Sequence, residues 1–326
     1  MRILRSVPAA AAAPIALTIG NFDGVHVGHQ AMLSRLRELA RCDGLPACAM
    51  TFEPHPREFF SPDQAPPRLT SLREKLELLA AQGIDRAHVL RFDYRLAQIT
   101  AEDFIERVLA RGLGVRRLLI GDDFRFGARR AGDFALLQRY SELLGYTVET
   151  MSSVLLDGER VSSTAVRKAL HDGDLTRAAR LLGRPYSISG CVVRGDGLGR
   201  QLGFPTANVR IRHNRPPHTG IFAVEVRGAA AGGPLRGVAS LGIRPTVKEL
   251  GEPVLEVYVF DFSGDLYGKH LRVDFLHKFR DEEKFADVPA MTKQIAKDAD
   301  DARAFFARVD AGAAQPVPCA ADGSTQ

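Results

Sequence analysis

Ile19-Gly20-Asn21-Phe22-Asp23-Gly24-Val25-His26-Val27-Gly28-His29-Gln30 sets the architecture of the first half of the chain. Before it, Pro14-Ile15-Ala16-Leu17-Thr18 is a short apolar run of the kind that forms a buried strand, and Gly20 ends it. After it, Met32, Leu33, Leu36, Leu39 and Ala40 recur at helical spacing. A strand, a glycine-punctuated turn and a helix start make an anion site. The first turn of a helix offers unpaired N–H donors and the positive end of its dipole. His26 and His29 stand on that turn, where ring N–H groups can reach nucleotide phosphates. One histidine alone is more often structural than functional. Two of them in His-x-Gly-His spacing between strand and helix point to phosphate binding.

Working outward, strands and helices alternate. Ala47–Phe52, Ala87–Phe92, Leu118–Ile120 and Tyr146–Met151 read as strands, and Ser71–Gln82, Ala101–Arg111 and Phe134–Leu144 as helices. Thr100 is placed to cap the second of these helices, with Asp103 in the capping-box position. This rhythm predicts an α/β fold, a parallel sheet with helices on both faces and ligands at the carboxyl ends of the strands. A helical stretch over Thr164–Leu182, broken near Asp172-Gly173, closes the half, and Gly183-Arg184-Pro185 marks a boundary. Beyond it the period becomes two. Tyr186–Arg194, Ile221–Arg227, Leu235–Leu241, Leu255–Phe262 and His270–Lys278 read as strands of a small antiparallel barrel or sandwich. A final helix carries Met291, Ile295, Ala302, Phe305, Phe306 and Val309 on one side. The expected domains are 1–183 and 184–310, with a disordered tail over 311–326.

Composition narrows the class. A chain of 326 residues is long for one core, and 25% charged with 45% apolar residues describes an ordinary soluble protein. The net charge of +5 is dispersed, with no basic block, which suits small anionic substrates and gives no sign of nucleic acid. Cys42, Cys48, Cys191 and Cys319 show neither C-x-x-C pairing nor metal-ligand spacing. Free thiols in a reducing cytoplasm are expected, with Cys48 and Cys191 as small core residues. No apolar run is long enough to span a bilayer. The start, Met1-Arg2-Ile3-Leu4-Arg5 and an alanine tract, is read as no signal peptide, because prolines interrupt it and cleavage would cut the first strand.

Three further stretches fall where a strand or loop meets the expected ligand edge: Phe52-Glu53-Pro54-His55-Pro56-Arg57, Gly121-Asp122-Asp123-Phe124-Arg125-Phe126-Gly127, and Ser162-Ser163-Thr164-Ala165-Val166-Arg167. Each has a bland reading. His55 between prolines can shape a turn, the aspartate pair can cap a helix, and Ser163-Thr164 can be a plain N-cap. As an ordered set at strand ends they argue for a site.

Gly-x-Phe-Asp-x-x-His-x-Gly-His resembles the signature of the nucleotidylyltransferase superfamily. Its fuller form is similar to the flavin branch, the bacterial bifunctional riboflavin kinase/FMN adenylyltransferases (FAD synthetases). Matching motifs run in the family's order from about Ile15 to Phe285. The resemblance implies a nucleotidylyltransferase-type sheet followed by a riboflavin kinase β-barrel. In the first, Gly20, Phe22, Gly28, Ser163, Thr164 and Arg167 would bind ATP. His26 and His29 would stabilise transition-state charge, and His55, Asp123, Phe124 and Arg125 would face the flavin.

The second dense motif is Gly195-Asp196-Gly197-Leu198-Gly199-Arg200-Gln201-Leu202-Gly203-Phe204-Pro205-Thr206-Ala207-Asn208. Its glycines let backbone N–H groups approach phosphates, though a glycine-rich loop is often only a hairpin, and no Gly-Lys-Ser/Thr ending makes it a Walker loop. Its Pro-Thr-Ala-Asn ending matches the riboflavin kinase family. By that resemblance Gly195, Gly197, Gly199, Gly203 and Pro205 bind ATP, and Thr206 and Asn208 hold Mg²⁺. Alternation puts Glu256 on the face of Tyr258 and Phe260, opposite Leu255, Val257 and Val259, and the resemblance makes it the base. Ser240 and Tyr258 depart from the family, which often has Asn and His there.

The expected function is therefore flavin cofactor biosynthesis: riboflavin to FMN and FMN to FAD, each with ATP and Mg²⁺. The rivals are a nucleotidylyltransferase for another acceptor, which a comparison of acceptors would expose, and a non-catalytic flavin-binding regulator, which an ATP-consumption assay would expose.

Overall fold

The two sequence periods separate into two structural units in the computed structural model, which describes residues 1–195, 197–211, 215–244 and 252–312. One unit comprises residues 1–66 and 72–162, the other residues 67–71 and 163 onward.

The first unit is a parallel sheet. Its strands are β1 (Arg2–Leu4), β2 (Ile15–Ile19), β3 (Ala47–Glu53), β4 (Arg86–Arg91), β5 (Val115–Gly121) and β6 (Thr147–Met151). Between them lie helices α1 (Val27–Cys42), α2 (Pro56–Phe60), α3 (Leu72–Ala81), α4 (Tyr94–Gln98), α5 (Ala101–Asp103) and α6 (Phe134–Leu144). A small hairpin, β7 (Leu155–Leu156) and β8 (Glu159–Arg160), ends the unit. The strand order is β1-β4-β3-β2-β5-β6. The chain runs outward from β2 on one side, then returns to lay β5 on its other side. The resulting crevice at the carboxyl ends of β2 and β5 is where such sheets bind ligands. β2 is buried along its whole length. Ile15, Leu17 and Ile19 pack with Phe104, Ile105 and Leu109 on one face, and Ala16 packs with Leu33, Leu36 and Leu79 on the other. Burial on both faces explains the unbroken apolar run.

Two features differ from the sequence expectation. Thr100 does cap a helix, accepting from Asp103 N at 3.0 Å, but after α5 the chain continues as a π-helix over Phe104–Gly112. Phe104, Ile105, Val108 and Leu109 all reach the core, a spacing of four that the wider turn keeps on one face just as an α-helix would. Arg2–Leu4, within the stretch weighed as a leader, forms β1 and pairs in parallel with β4.

The second unit begins with α7 (Ser163–His171) and α8 (Leu175–Leu182). Then follow β9 (Tyr186–Val193), the single turn α9 (Leu198–Gln201), β10 (Thr206–Val209), β11 (Gly220–Ala230), β12 (Gly233–Arg244), β13 (Glu252–Val259), β14 (His270–Arg280) and α10 (Val288–Asp310). The strands close into a barrel in the order β10-β13-β12-β11-β14-β9. The sequence boundary read at 183/184 follows α8, whereas α7 and α8 cluster with the barrel, α8 packing on β9 and β14. Three arginine–aspartate pairs strap α10 to its surroundings: Arg236–Asp310 at 2.6 Å, Arg280–Asp298 at 2.6 Å and Arg303–Asp261 at 2.9 Å. Cys48 is buried, and burial pushes its thiol up to about 12. Cys191, expected in the core, is exposed, since it points outward on the alternating strand β9. The tail from 313, the motif residues Pro245 and Thr246, and Asp196 and Cys319 lie outside the described residues.

His218 is buried just before β11, among the rings of Tyr186, Phe222 and Phe275 at 5.1, 4.8 and 4.9 Å. Neither ring nitrogen has a hydrogen-bond partner. Burial, helped by the Lys278 charge, lowers its pKa to about 3. Below the ordinary value near 6.5 the unfolded chain therefore binds a proton that the folded barrel refuses, and stability falls as pH falls toward 3. For this group the loss reaches roughly 2 kcal/mol at pH 5. Urea unfolding at pH 7.5 and pH 5 should show His218→Phe losing less stability on acidification than the natural chain, by about that amount.

Candidate functional site

The turn between β2 and α1 is shaped by its backbone. Gly24 has φ 81°, and Phe22 and Val25 adopt φ 47° and 40°, unusual for residues with side chains. His26 caps α1, its Nδ1 accepting from His29 N at 3.3 Å. Acceptance at Nδ1 places the ring proton on Nε2, which makes that nitrogen a donor. The two imidazoles stack at 3.6 Å with planes 16° apart, and Phe22 meets His29 edge-on at 5.2 Å. A Cβ on Gly28 would press on the His26 ring at 3.2 Å, so glycine lets the helix start close beneath the histidine. Gln30 Nε2 donates to Val25 O at 2.9 Å and closes the turn.

This turn borders a cavity of about 860 Å³ at the carboxyl ends of β2 and β5. Of the sequence-predicted residues, Gly20, Phe22, His26, Gly28, His29, His55, Asp123, Phe124 and Arg125 all line it. His55 also caps α2: its Nδ1 accepts from Arg57 N at 3.1 Å, and Glu58 accepts from His55 N at 3.2 Å. The turn-shaping and cavity-facing roles of His55 thus coexist. Asp123 pairs with Arg160 at 2.6 Å, and Arg125 with Asp133 at 3.0 Å. The Asp133 carboxyl lies below its usual range because it accepts Leu136 N–H at the start of α6, with Arg125 adding to the shift. Ser163, Thr164 and Arg167 belong to α7 in the second unit, where Arg167 Nε donates to Pro67 O at 2.6 Å. The sequence reading gave no role to Arg57, Arg129, Arg130 or Arg160, which also line the cavity. Three of them sit inside or just behind stretches already singled out, so a count of basic residues in those loops was the available signal.

In the second unit the register builds another site. Asn208 pairs with Glu256 across β10–β13, and Glu256 with Ser240 across β13–β12, giving one row of three side chains. Thr206, opposite Tyr258, lies two residues along on the same face. The intervening Ala207, Val209, Leu255, Val257, Ala239 and Leu241 fill the barrel, so the row lies on its outer surface, as alternation requires. The glycine-rich loop folds onto this row. A Cβ on Gly199 would stand 3.0 Å from Thr206 Oγ1, and one on Gly195 would collide with the Asn208 amide. Gly197 and Gly203 take φ 72° and 86°. Phe204, beside Pro205, packs edge-on against Tyr258 at 5.6 Å and anchors the end of the loop. Ser240 Oγ donates to Glu282 Oε1 at 3.1 Å, a second carboxylate that sequence reading did not find, 42 residues away. Thr206 and Asn208 offer hard oxygen donors of the kind Mg²⁺ prefers, while no cluster of three or more His, Cys, Asp or Glu able to hold a metal occurs among the described residues.

Residues 9–165 match the family model for FAD synthetase and residues 182–306 that for riboflavin kinase. The bifunctional riboflavin kinase/FMN adenylyltransferase of Escherichia coli strain K12 is 48% identical over 309 residues, 94% of this chain and 98% of that protein. The protein of the same description from Pseudomonas fluorescens is 49% identical over 290 residues, 89% of this chain and 92% of its own. A crystal structure described as the macrolide-efflux protein from Streptococcus pneumoniae aligns with TM-score 0.77 at 28% identity, covering 91% of this chain and 97% of that one. No helix among the described residues is long and apolar enough to cross a membrane.

Proposed function

The chain belongs to the bifunctional riboflavin kinase/FMN adenylyltransferase family, and we propose that it carries out both reactions. The second unit transfers the γ-phosphate of ATP to riboflavin, and the first transfers the AMP moiety of ATP to FMN with release of pyrophosphate. One observation carries the reading: each family match spans its own phosphate-binding arrangement, a helix start with two histidines in one and a glycine loop over Thr206, Asn208 and Glu256 in the other.

In the kinase reaction the nucleophile is a primary alcohol, which must lose its proton as its oxygen attacks phosphorus. Glu256 accepts that proton, and the strand register sets Asn208 and Ser240 on either side of it. Thr206 and Asn208 supply oxygens for Mg²⁺, which when bound neutralises charge on the ATP phosphates. Backbone N–H groups of the loop containing Gly195, Gly197, Gly199 and Gly203 face the phosphates. In the adenylyl reaction the nucleophile is the FMN phosphate, already anionic, so positioning and charge neutralisation suffice. His26 Nε2–H and the α1 start bind the triphosphate, with His29 beside them. By the family resemblance Ser163, Thr164 and Arg167 bind ATP, and His55, Asp123, Phe124 and Arg125 face the flavin. A cytoplasmic location suits the free thiols of Cys42, Cys48 and Cys191.

Two reciprocal variants test the division of labour. Glu256→Gln keeps size and hydrogen bonding but cannot accept a proton, so turnover of riboflavin to FMN should fall about 10²–10⁴-fold. FAD production from supplied FMN should persist in the same preparation. His29→Ala should do the reverse, suppressing FAD while FMN still accumulates. Chromatography of flavins after incubation with ATP and Mg²⁺ reads both, and a near-normal kinase rate in the glutamine variant would return Glu256 to an ordinary strand residue.

The domain assignment has its own test. A fragment starting at Ser163 keeps α8, whose Leu175, Ala178, Leu181 and Leu182 are buried, whereas one starting at Gly183 loses it. The longer fragment should fold and phosphorylate riboflavin, and the shorter should melt at lower temperature. Circular dichroism melts beside the kinase assay decide this.

A further inference from the structure

The loop that follows β5 contains two consecutive arginines in a conformation that side chains resist. Arg129 has φ 53° and ψ 21°, and Arg130 has φ 57°, with Gly127 at φ 72° one residue before them, across Ala128. The left-handed region is natural for glycine and tolerable for asparagine, but costly for a residue with a long side chain. Such strain persists only where the surroundings over-determine it. They do so here. Ala128 N donates to Ile99 O at 2.7 Å, and Phe126 and Gly132 pair through both backbone bonds, at 3.2 and 2.9 Å. Gly127 lies so close to Ala101 that a Cβ would stand 2.8 Å from its backbone, and Gly132 lies equally tight against the Phe126 ring. The turn is therefore pinned at both ends, which fixes the backbone from which the two exposed arginine side chains project.

Around the cavity three arginines, Arg57, Arg129 and Arg130, form no ion pair among the described residues, and two of the three stand on this pinned turn. Five arginines line it. Arg125 is neutralised by Asp133 and Arg160 by Asp123. Among the described residues no carboxylate forms an ion pair with Arg129 or Arg130, so their charges are available to an anion. The loop also carries Phe124 and Phe126, whose rings stack at 5.5 Å and line the cavity.

We propose that Arg129 and Arg130 bind the phosphomonoester of FMN, and so select the phosphorylated flavin over riboflavin as adenylyl acceptor. This rests on the adenylyl-transfer reading of the first unit. Two polyanions must meet there, and the N–H groups of the α1 start are already committed to the triphosphate. The acceptor phosphate needs its own cations, placed on the loop whose aromatic rings offer a surface to the flavin. Guanidinium groups match a phosphate through paired N–H donors. With its charge screened, the acceptor oxygen attacks the α-phosphorus of ATP. The new P–O bond forms as the bond to the β-phosphate oxygen breaks, and pyrophosphate leaves.

The strain gives the test an unusual control. In the full chain, Arg129→Gly, Arg130→Gly and the double variant remove the guanidinium while suiting the left-handed backbone, so the melting temperature should hold or rise. The double variant should raise KM for FMN about 10- to 100-fold in the adenylyl assay. KM for ATP should stay within about threefold, and riboflavin phosphorylation in the same preparation should be unchanged. Arg130→Lys, which keeps the charge but not the fork, should recover part of the loss. An unchanged KM for FMN, or a rise confined to ATP or to pyrophosphate in the reverse reaction, would overturn the assignment. A natural chain that makes no FAD from FMN would instead remove the adenylyl reading on which it rests.

Discussion

The turn from Gly20 to His26 is the constraint on which the first unit depends. Within seven residues the chain must leave a fully buried strand, reverse, and start a helix whose N–H groups face the crevice beside β5. It does so with two side-chain-bearing residues, Phe22 and Val25, in the left-handed region. The cost is offset by burial, since both side chains are in the core. The geometry of the helix start follows from this: His26 becomes the cap, its ring proton is fixed on Nε2, and Gly28 lets the ring lie close over the helix start.

The barrel solves the same problem without a long helix. Its glycine-rich loop is laid over the outer face of the barrel, and its glycines serve two purposes that the sequence does not separate. Gly197 and Gly203 supply positive φ, while Gly195 and Gly199 leave room for the side chains of Asn208 and Thr206. The loop is thus fitted to the row that it covers. α10 contributes from behind: Arg303 pairs with Asp261 and lies 4.3 Å over the ring of Phe260, steadying the end of the strand that carries Glu256.

Periodicity made most of this legible. Apolar spacing of four and of two located the sheet strands, the barrel strands and the long helices, because burial on one face is what the spacing encodes. Alternation alone puts Glu256 opposite Leu255, Val257 and Val259, and in the structure those three fill the barrel while Glu256 stands on its outer face. What escaped lies in quantities that side-chain type does not carry. The π-helix over Phe104–Gly112 has the same composition as an α-helix. β10 is four residues long and hidden inside a motif read for its chemistry. The sign of φ at Arg129 and Arg130 is set by neighbours at Ile99, Ala101 and Gly132, and the hydrogen bond from Ser240 to Glu282 spans too much chain for any local pattern. Cys191 shows the converse error, since an apolar-looking residue on an alternating strand has an even chance of facing out.

The two sites differ in the way that their acceptors differ. Around the first cavity stand five arginines and two stacked histidines against a single aspartate, and that aspartate is tied to Arg160. Such a lining offers no free carboxylate to take a proton and a surplus of positive charge, which is what the meeting of a phosphate with a triphosphate demands. On the barrel the balance is reversed. Glu256 stands in the row with Asn208 and Ser240, and the Ser240 hydroxyl donates to a second carboxylate, Glu282. An alcohol nucleophile needs a proton acceptor, and a carboxylate near ATP is tolerable only if a cation shares the site, a requirement that the oxygens of Thr206 and Asn208 would meet. Charge sign at each site therefore follows from whether the attacking oxygen still holds its proton. The same nucleotide is used in both, so the difference lies in what each unit must do to its acceptor.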